Sequence, residues 1–407
     1  MSKKKKNQNT KLTVTEIEKL GTKSSNNKKH GIAAAAVSMV IFFGMLVYLA
    51  VMTVVSEKKE FSELENRNLE KFPKFNTEQL FSGKFTDNLE TYTADHFYGR
   101  DFFVKLKTYC DLALGKRERN GMYILENRLV ERVDEPDSEL IERSISGLNA
   151  FAEDNDIPLF FMLVPTSGDI YSDELPANAP MLDQQKFIED IYSRLDSEYA
   201  VIDAYSAMKL NRDEYIYYRN DHHWTSYGAY LAYEAASKKM GYTPVPLSSY
   251  NIEHASSEFK GTLYSSALYD GIDPDIVDYY HCTDGYNITG EYVTEGFGEE
   301  PVYYESPYFR DYLDVKDKYS SFTGPNQPLI TLKSDSPGGK LLVIKDSYAH
   351  CYVPFLMQHY SEVTMFDLRY IQIGYSSIID VSEYDQVLFL YNASTFSKDD
   401  NLRKLAY

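Results

Sequence analysis

The longest uninterrupted apolar segment lies near the start of the chain. From Gly31 to Val55 the sequence runs for 25 residues without a charged side chain. At about 1.5 Å per residue, a helix of this length exceeds the roughly 30 Å hydrocarbon core of a bilayer. A cleaved signal peptide is the alternative, but its apolar region would span only about 7–15 residues, and no convincing cleavage site follows Val55. The pattern therefore predicts an uncleaved transmembrane helix at 31–55.

From residue 137 onward, helical and strand patterns alternate. Helices are predicted, from apolar positions at helical spacing or from capping residues, at 138–153, 184–195, 225–240 and 352–359. Short apolar runs typical of strands occur at 157–164, 200–202, 340–344, 363–366 and 386–391. The run at 157–164 is apolar throughout, which is typical of a strand buried on both faces. This alternation predicts an α/β fold with a mostly parallel sheet and helices on both faces.

Three segments depart from the alternation. Residues 1–30 are polar, with nine lysines and two glutamates for a net charge of +7, and predict a disordered tail. Residues 56–136 are charged and predict a mostly helical connector. Residues 249–336, rich in Tyr, Thr, Asp and Gly, predict a β-rich insertion on one rim of the sheet. The α/β domain is then expected to comprise 137–248 and 337–407.

Charge narrows the possible partners and the location. The net charge of −19 argues against nucleic acid, whose phosphates would be repelled. Subtracting the +7 tail leaves −26 on the rest of the chain. Lys and Arg are balanced close to the apolar helix, but four consecutive lysines at 3–6 favour a cytoplasmic tail. We therefore expect residues 56–407 to be extracytoplasmic.

A carboxylate and an imidazole stand together just before a predicted helix. In the segment 220–225, Asn-Asp-His-His-Trp-Thr, Asp221 lies two residues before His223. Residues i and i+2 of an extended loop point the same way, so Asp221 can fix the tautomer of His223 and leave its other nitrogen free to act as a base. His222 should point away, into packing or a polar contact.

The expected nucleophile lies far downstream. Ser347 follows the predicted strand 340–344 by three residues, and ligands of open parallel sheets bind beyond the carboxyl ends of the strands. A serine on a sharp strand-to-helix turn is exposed, and its own backbone N–H can hold an oxyanion. A routine helix cap is the alternative for this serine. Together with His223 and Asp221, Ser347 would complete a triad for acyl transfer.

Four further residues are candidates for holding the substrate or the oxyanion. Asn392, at the end of the predicted strand 386–391, could donate its amide, although a turn residue is the alternative. Gly168, with Ser167, follows another strand and could add a backbone donor. Arg369 lies just beyond a strand end, where it could bind an anionic sugar. Trp224 is expected either to wall the pocket or to belong to the core.

A metal site is a competing hypothesis. Side chains of zinc-ligand type occur at Asp221, His222, His223, His350 and Cys351. However, adjacent histidines rarely bind one ion together, and no His-Glu-x-x-His spacing occurs. We therefore expect no metal and no organic cofactor. The three cysteines are too few and too scattered for a disulfide framework, although one bridge could form.

Taken together, these motifs resemble the DHHW family, and more broadly the chain is similar to the SGNH-hydrolase-like proteins of alginate O-acetylation. The supporting segments are Glu-Asn-Arg-Asn-Leu at 65–69, Asp-His-Phe-Tyr-Gly-Arg at 95–100, Asp-His-His-Trp-Thr at 221–225 and Lys-Asp-Ser-Tyr at 345–348. The resemblance covers roughly residues 60–400. It implies a flavodoxin-like sandwich with Asp221, His223 and Ser347 as the triad. Lys345 stands where the standard Gly-Asp-Ser block has glycine.

The resemblance also implies acetyl transfer to an exported polysaccharide, with the acetyl group delivered by a membrane-bound O-acyltransferase. The leading hypothesis is therefore O-acetyl transfer onto a cell-surface glycan, or ester cleavage from it, by Ser347, His223 and Asp221. The two reactions differ only in whether a sugar or water accepts the acyl group, and the sequence leaves both open. A non-catalytic surface protein that binds a glycan or a partner is the second hypothesis.

Overall fold

The structure, a computed structural model, describes residues 14–293 and 302–407. The chain divides into two compact units. The first comprises Met1–Ser62 and Arg67–Phe103, and the second comprises Glu63–Asn66 and Val104–Tyr407. Every residue proposed above for the site belongs to the second unit.

The first unit begins with one long helix. Its elements are α1 (Val14–Val55), the antiparallel strands β1 (Phe61–Ser62) and β2 (Arg67–Asn68), α2 (Thr77–Phe81), α3 (Lys84–Asp95) and the start of α4 (Arg100–Ala113). Within α1, Ile32–Val55 has a mean hydropathy of 2.4 and is long and apolar enough to cross a membrane. This apolar helix suggests a single-pass membrane anchor.

The N-terminal tail differs from its prediction. Disorder was expected for residues 1–30, but α1 already begins at Val14. Residues 1–13 lie outside the described part of the chain. Adding a residue to an existing helix costs far less than nucleating a new one, so a stable apolar helix can extend into a polar segment with weak helical preference.

The second unit is built around an α/β core. Its helices are the rest of α4, α5 (Ser138–Asp154), α6 (Ser167–Ile170), α7 (Gln184–Arg194), α8 (Ala204–Leu210), α9 (Ser226–Met240), α10 (Thr262–Ala267), α11 (Ala349–Leu356) and α12 (Ala393–Phe396). Its strands are β3 (Glu118–Arg119), β4 (Met122–Ile124), β5 (Leu129–Glu131), β6 (Leu159–Val164), β7 (Tyr199–Ile202), β8 (Tyr250–Phe259), β9 (Asp275–Cys282), β10 (Ile288–Val293), β11 (Val302–Tyr304), β12 (Leu329–Ser334), β13 (Lys340–Lys345), β14 (Glu362–Phe366) and β15 (Gln386–Asn392).

The central sheet has eight strands in the order β11-β10-β12-β14-β13-β15-β6-β7. The five strands from β14 to β7 are parallel, and β11, β10 and β12 continue the sheet in antiparallel fashion. Alternate residues of β6 enter two separate cores, one shared with α5 and α7 and the other with α8, α9 and α11. These observations confirm the predicted fold class, a mostly parallel sheet with helices on both faces.

Local signals read from the sequence agree with the helix that leads away from the site. Thr225 caps α9, with its side chain accepting from the N–H of Gly228. Gly241 ends the helix with a φ of 82°, in the left-handed region that glycine adopts without steric cost. The three cysteines are free thiols, with Cys110 exposed and Cys351 buried.

Two predicted segments differ in detail from the structure. In the predicted connector 56–136, helices α2 to α4 are followed by a three-stranded antiparallel sheet, β3-β4-β5. Among the described residues of the predicted insertion 249–336, β8 and β9 pair apart from the central sheet, whereas β10 to β12 extend it. Strand pairing depends on long-range contacts, which the local pattern of a short, polar strand does not predict.

Candidate active site

Strand β13 carries Ser347 to the centre of the sheet edge. The strand is hydrogen-bonded between β14 and β15, and Ser347 follows its carboxyl end just before α11. The neighbouring Asp346 is fully buried, and its carboxylate accepts hydrogen bonds from the backbone N–H of Tyr348 at 2.8 Å and of Asn392 at 2.7 Å. These bonds tie the ends of β13 and β15 together and fix the turn on which Ser347 lies.

The loop between α8 and α9 brings the acid and the base to the same edge. It folds back on itself, with a bridge between Tyr217 and Trp224 and a 2.9 Å bond from the N–H of Thr225 to the carbonyl of Ile216. Asp275, at the start of β9, accepts from the N–H of Asn220 at 2.7 Å. The loop is therefore held from both sides, and the direction of its side chains is fixed.

The three predicted triad side chains meet in one chain of hydrogen bonds. Nδ1 of His223 lies 2.6 Å from Oδ1 of Asp221, and Nε2 of His223 lies 2.7 Å from Oγ of Ser347. Because the ionised Asp221 can only accept, Nδ1 carries the proton and Nε2 accepts from the serine hydroxyl. This is the geometry in which a serine can lose its proton to a base.

The second oxygen of Asp221 is held by the start of α10. It accepts from the backbone N–H of Thr262 at 2.8 Å and from the Thr262 hydroxyl at 3.1 Å. The preceding residue, Gly261, allows this approach, since a Cβ there would lie 2.0 Å from Oδ2 of Asp221. The carboxylate thus joins two segments about forty residues apart.

Burial and neighbouring charges set the protonation states of the acid and the base. Burial opposes ionisation of Asp221, but His222 and His223 and the hydrogen bonds outweigh it and hold the pKa of Asp221 below its usual range. Burial, with the nearby His222, lowers the pKa of His223 to about 4, despite the carboxylate. At neutral pH the imidazole is therefore uncharged and able to accept a proton.

Two further residues contact His223, and one of them, Tyr319, was not predicted from the sequence. The ring of Tyr319 stacks on the imidazole, with centroids 3.6 Å apart and planes 7° from parallel. His222 makes the expected polar contact, from its Nδ1 to the Thr262 hydroxyl at 2.6 Å, but its ring also lies 3.8 Å from that of His223. Tyr319 lies 96 positions downstream of His223, so no local spacing could have revealed it.

A cavity of about 490 Å³ is lined by neighbours of the triad rather than by Asp221, His223 or Ser347 themselves. His222, Thr262, Arg369 and Asn392 are among the residues that line it. Ser347 is 9% exposed, and within the described part of the chain its backbone N–H has no hydrogen-bond partner. That N–H is thus available for a developing oxyanion.

The four secondary candidates fall in different places. Arg369 and Asn392 line the cavity, but the Asn392 amide nitrogen already donates to Asp346 at 2.6 Å and to Thr395 at 2.8 Å. Both amide hydrogens are therefore in use. Gly168 is buried in α6 and is not part of the cavity lining. Trp224 is fully buried, stacks on Tyr352 and does not line this cavity, which agrees with the core alternative rather than with the pocket wall.

Lys345, which stands where the standard block has glycine, belongs to a buried polar network. Its ammonium group donates to Asn326 at 3.1 Å, to His350 at 2.9 Å and to Asp367 at 3.2 Å, which uses all three hydrogens. Asp367 also accepts two bonds from Arg369, from Nε at 2.8 Å and Nη2 at 2.6 Å. Burial lowers the pKa of Lys345, and Asp367 opposes that shift. The network therefore joins two basic side chains to one carboxylate, and it holds Arg369 at the cavity wall.

The metal-type residues do not gather as one group. Among the described residues, the atoms of Asp221, His222 and His223 lie within 4.8 Å of one another. His350 instead bonds Lys345, and Cys351 lies 3.3 Å from the Tyr319 hydroxyl. Nδ1 and Nε2 of His223 are both engaged, by Asp221 and Ser347, as a proton transfer from the serine requires.

Solved structures share this fold. A DHHW family protein from Eubacterium siraeum is 26% identical, with a TM-score of 0.58 over 71% of this chain and 95% of that one. PatB1 of Bacillus cereus, in a structure with a sulfonyl adduct, is 20% identical, with a TM-score of 0.60 over 70% of this chain and 98% of that one. The O-acetyltransferase domain of Pseudomonas putida AlgJ is more distant, at 13% identity and a TM-score of 0.44 over 69% of this chain and 93% of that one.

The sheet, its helices and the neighbours with TM-scores of 0.58 and 0.60 define a mixed α/β protein with a mostly parallel central sheet. The family model described as DHHW protein matches residues 153–366, more than half of the chain. The chain therefore belongs to the DHHW family. A search of curated proteins gave no match.

The buried network yields a prediction about stability. Asp367→Asn leaves Lys345 and Arg369 without their carboxylate, and breaking such a buried pair costs about 3–5 kcal/mol. Lys345→Met keeps the bidentate pair of Asp367 with Arg369 and should cost clearly less. Urea unfolding of the full chain in detergent measures both free energies. A larger loss for Lys345→Met than for Asp367→Asn would contradict this account.

Proposed function

We propose that this protein is a membrane-anchored serine enzyme that transfers or removes O-acetyl groups on a cell-surface polysaccharide. The observation that carries the proposal is the continuous chain of hydrogen bonds from Asp221 through His223 to Ser347. Its setting adds support, because the serine lies at a strand end near a cavity, and its backbone N–H has no hydrogen-bond partner among the described residues. The resemblance to O-acetylation proteins suggests the acetyl group as the acyl unit.

The geometry supports a two-step acyl transfer. Oγ of Ser347 attacks the acetyl carbonyl while Nε2 of His223 takes the hydroxyl proton, and the Ser347 N–H binds the oxyanion. The C–O bond to the donor then breaks, and His223 returns the proton to the leaving oxygen. In the second step His223 takes a proton from a sugar hydroxyl, which attacks the acyl-serine. The bond from the acyl carbon to Oγ of Ser347 then breaks, and His223 returns the proton to that oxygen. Water in place of the sugar gives ester cleavage. Asp221 orients His223 throughout.

Arg369 suggests the kind of polysaccharide. Asp367 occupies Nε and Nη2 of its guanidinium, whereas Nη1 has no partner within the described residues. Because Lys345 shares that carboxylate, Asp367 does not belong to Arg369 alone, and the cavity lining also carries Glu131, Lys398 and Asp399. A sugar that carries a carboxylate or phosphate could bind Nη1 of Arg369 better than a neutral one.

The same proposal includes the orientation and the acetyl source. Four lysines at 3–6 favour a cytoplasmic N-terminus, which places the acidic second unit outside. Acetyl groups outside the membrane must be delivered through it, so a membrane-bound O-acyltransferase is the donor partner that suits this location. The reaction itself needs no metal or organic cofactor.

The first test is acylation of the serine. With 4-nitrophenyl acetate, the full chain in detergent should release nitrophenol and carry an acetyl adduct on Ser347, located by mass spectrometry. Ser347→Ala should lose the adduct and react at least about 10³-fold more slowly, since the nucleophile is gone. The exposed Ser172, replaced by alanine, serves as the matched control. Equal turnover by wild type and Ser347→Ala would contradict the proposed serine enzyme and leave the hypothesis of a binding protein.

The pKa of His223 predicts the pH dependence of that reaction. Neutral His223 is the active base, and its pKa of about 4 lies below the usual 6.5. The rate constant kcat/KM should therefore stay level as the pH falls to about 5, and it should fall tenfold per pH unit only below about 4. An acid limb centred near pH 6.5 would show that the imidazole is not held as the structure has it.

Arg369→Gln tests the anionic substrate. Losing one hydrogen bond to a charged group costs about 1.5–3 kcal/mol, so KM for an acceptor oligosaccharide bearing carboxylates should rise about tenfold or more. KM for its carboxyl-reduced, neutral counterpart should change little. Asp367 keeps Lys345 as a partner, which protects the fold in this variant. An equal rise for both acceptors would argue against recognition of charge.

Cysteine labelling tests the orientation. Cys110 is exposed, so a membrane-impermeant maleimide should label it on intact cells if the second unit is outside. In a Cys110→Ser background, a cysteine placed by Ser2→Cys should react only after permeabilisation. The reverse pattern would place the N-terminus outside and overturn the proposed location.

A further inference from the structure

Tyr319 touches both reacting partners of the triad. Its ring stacks on His223 at a centroid distance of 3.6 Å, and its hydroxyl donates to the backbone carbonyl of Ser347 at 3.1 Å. The same hydroxyl lies 3.3 Å from Sγ of the buried Cys351. One side chain therefore spans the base and the turn that carries the nucleophile.

The tyrosine is itself firmly held. It is 5% exposed, and its ring packs against Tyr218 and Phe322, with centroids 6.4 and 5.4 Å away. Directly after Phe322, Thr323 has a φ of 53°, which a β-branched residue rarely adopts. Its N–H donates to Pro307 at 2.7 Å, and its hydroxyl lies 2.6 Å from Nδ1 of His350. These contacts hold an unfavourable backbone conformation, so they fix the position of the segment that carries Tyr319.

The imidazole needs such support because its two hydrogen bonds point in different directions. Rotation of the His223 ring about its Cβ–Cγ bond would break the bonds to Asp221 and Ser347 together. Tyr319 covers one face of the ring, and His222 lies 3.8 Å away by centroid, tilted by 38°. Contact from these neighbours restricts the rotation.

The stacked ring also matters when charge appears. During attack His223 becomes an imidazolium in a buried site, where little water can stabilise it. The face of an aromatic ring attracts a cation, and the attraction increases when the cation is desolvated. Tyr319 can thus favour the charged state that the transition state requires, in addition to setting the ring plane.

We propose that Tyr319 is a positioning residue that aligns His223 with Ser347 and stabilises the imidazolium, an inference that rests on the proposed serine chemistry. Its ring performs this task, and its hydroxyl secures the Ser347 turn. Tyr319→Phe should therefore retain more reactivity than Tyr319→Leu, because phenylalanine keeps the stacking face.

The rate at which a sulfonyl fluoride modifies Ser347 measures the alignment of the triad without knowledge of the polysaccharide. With phenylmethanesulfonyl fluoride, Oγ of Ser347 bonds to sulfur, fluoride leaves, and His223 takes the hydroxyl proton. We expect Tyr319→Leu to lower the second-order rate of modification by about 3- to 30-fold and Tyr319→Phe by less than about threefold. Tyr242→Leu is the matched control, since Tyr242 also stacks on a histidine, His359, at 4.4 Å and 14°. It should react at the wild-type rate.

A second readout separates alignment from folding. The Nδ1 proton of His223 should give a low-field NMR resonance that His223→Gln removes and Tyr319→Leu weakens or shifts. A loss of rate that the melting curve explains by a smaller folded fraction would overturn the proposal. If the leucine variant does not fold, Tyr319→Met, which fills more of the space without a ring, gives the decision by the same two measurements.

The outcomes are distinguishable from failure of the proposed function. If wild-type Ser347 is not modified at all, the serine chemistry falls. If wild type is modified and Tyr319→Leu or Tyr319→Met reacts as fast, the triad stands and the role of Tyr319 is overturned.

Discussion

The buried carboxylate of Asp221 is the interaction on which the site depends. One oxygen binds Nδ1 of His223, and the other is held by the N–H and hydroxyl of Thr262. A carboxylate is costly to bury unless its lone pairs are satisfied, and here the partners come from two separate segments. Satisfying this one charge therefore brings α10 against the loop before α9 and points the imidazole at the end of β13.

A second buried network prepares the other side of the site. Lys345 and Arg369 share the carboxylate of Asp367, and Lys345 also donates to His350. Because every polar hydrogen of Lys345 is used, a lysine can replace the glycine of the standard block without leaving an unsatisfied charge. The consequence reaches the cavity, where Nη1 of Arg369 has no partner among the described residues. Lys345, two residues before the nucleophile, is thus linked through Asp367 to an arginine that lines the cavity.

Particular segments show where sequence patterns succeed and fail. The run at 157–164 was expected to be a strand buried on both faces, and Leu159–Val164 is fully buried in the sheet. The start of α9 at its cap Thr225 and its end at Gly241 were also predicted from the sequence, because both signals depend on residues within one turn. The sequence did not predict that β10 and β12 join the central sheet. Their pairing, β10 with β12 and β12 with β14, depends on contacts across the sheet. Trp224 was ambiguous, and its burial settled the matter.

The sequence by itself determined the fold class and named the three residues that meet, because periodicity, capping and an i to i+2 spacing are local properties. Only the tertiary structure decided that Tyr319 stacks on His223, that Thr262 holds Asp221 and that Lys345 supports Arg369. These contacts join residues that lie 22 to 96 positions apart along the chain. Packing alone brings such residues together, and no short pattern in the chain encodes which of them will touch.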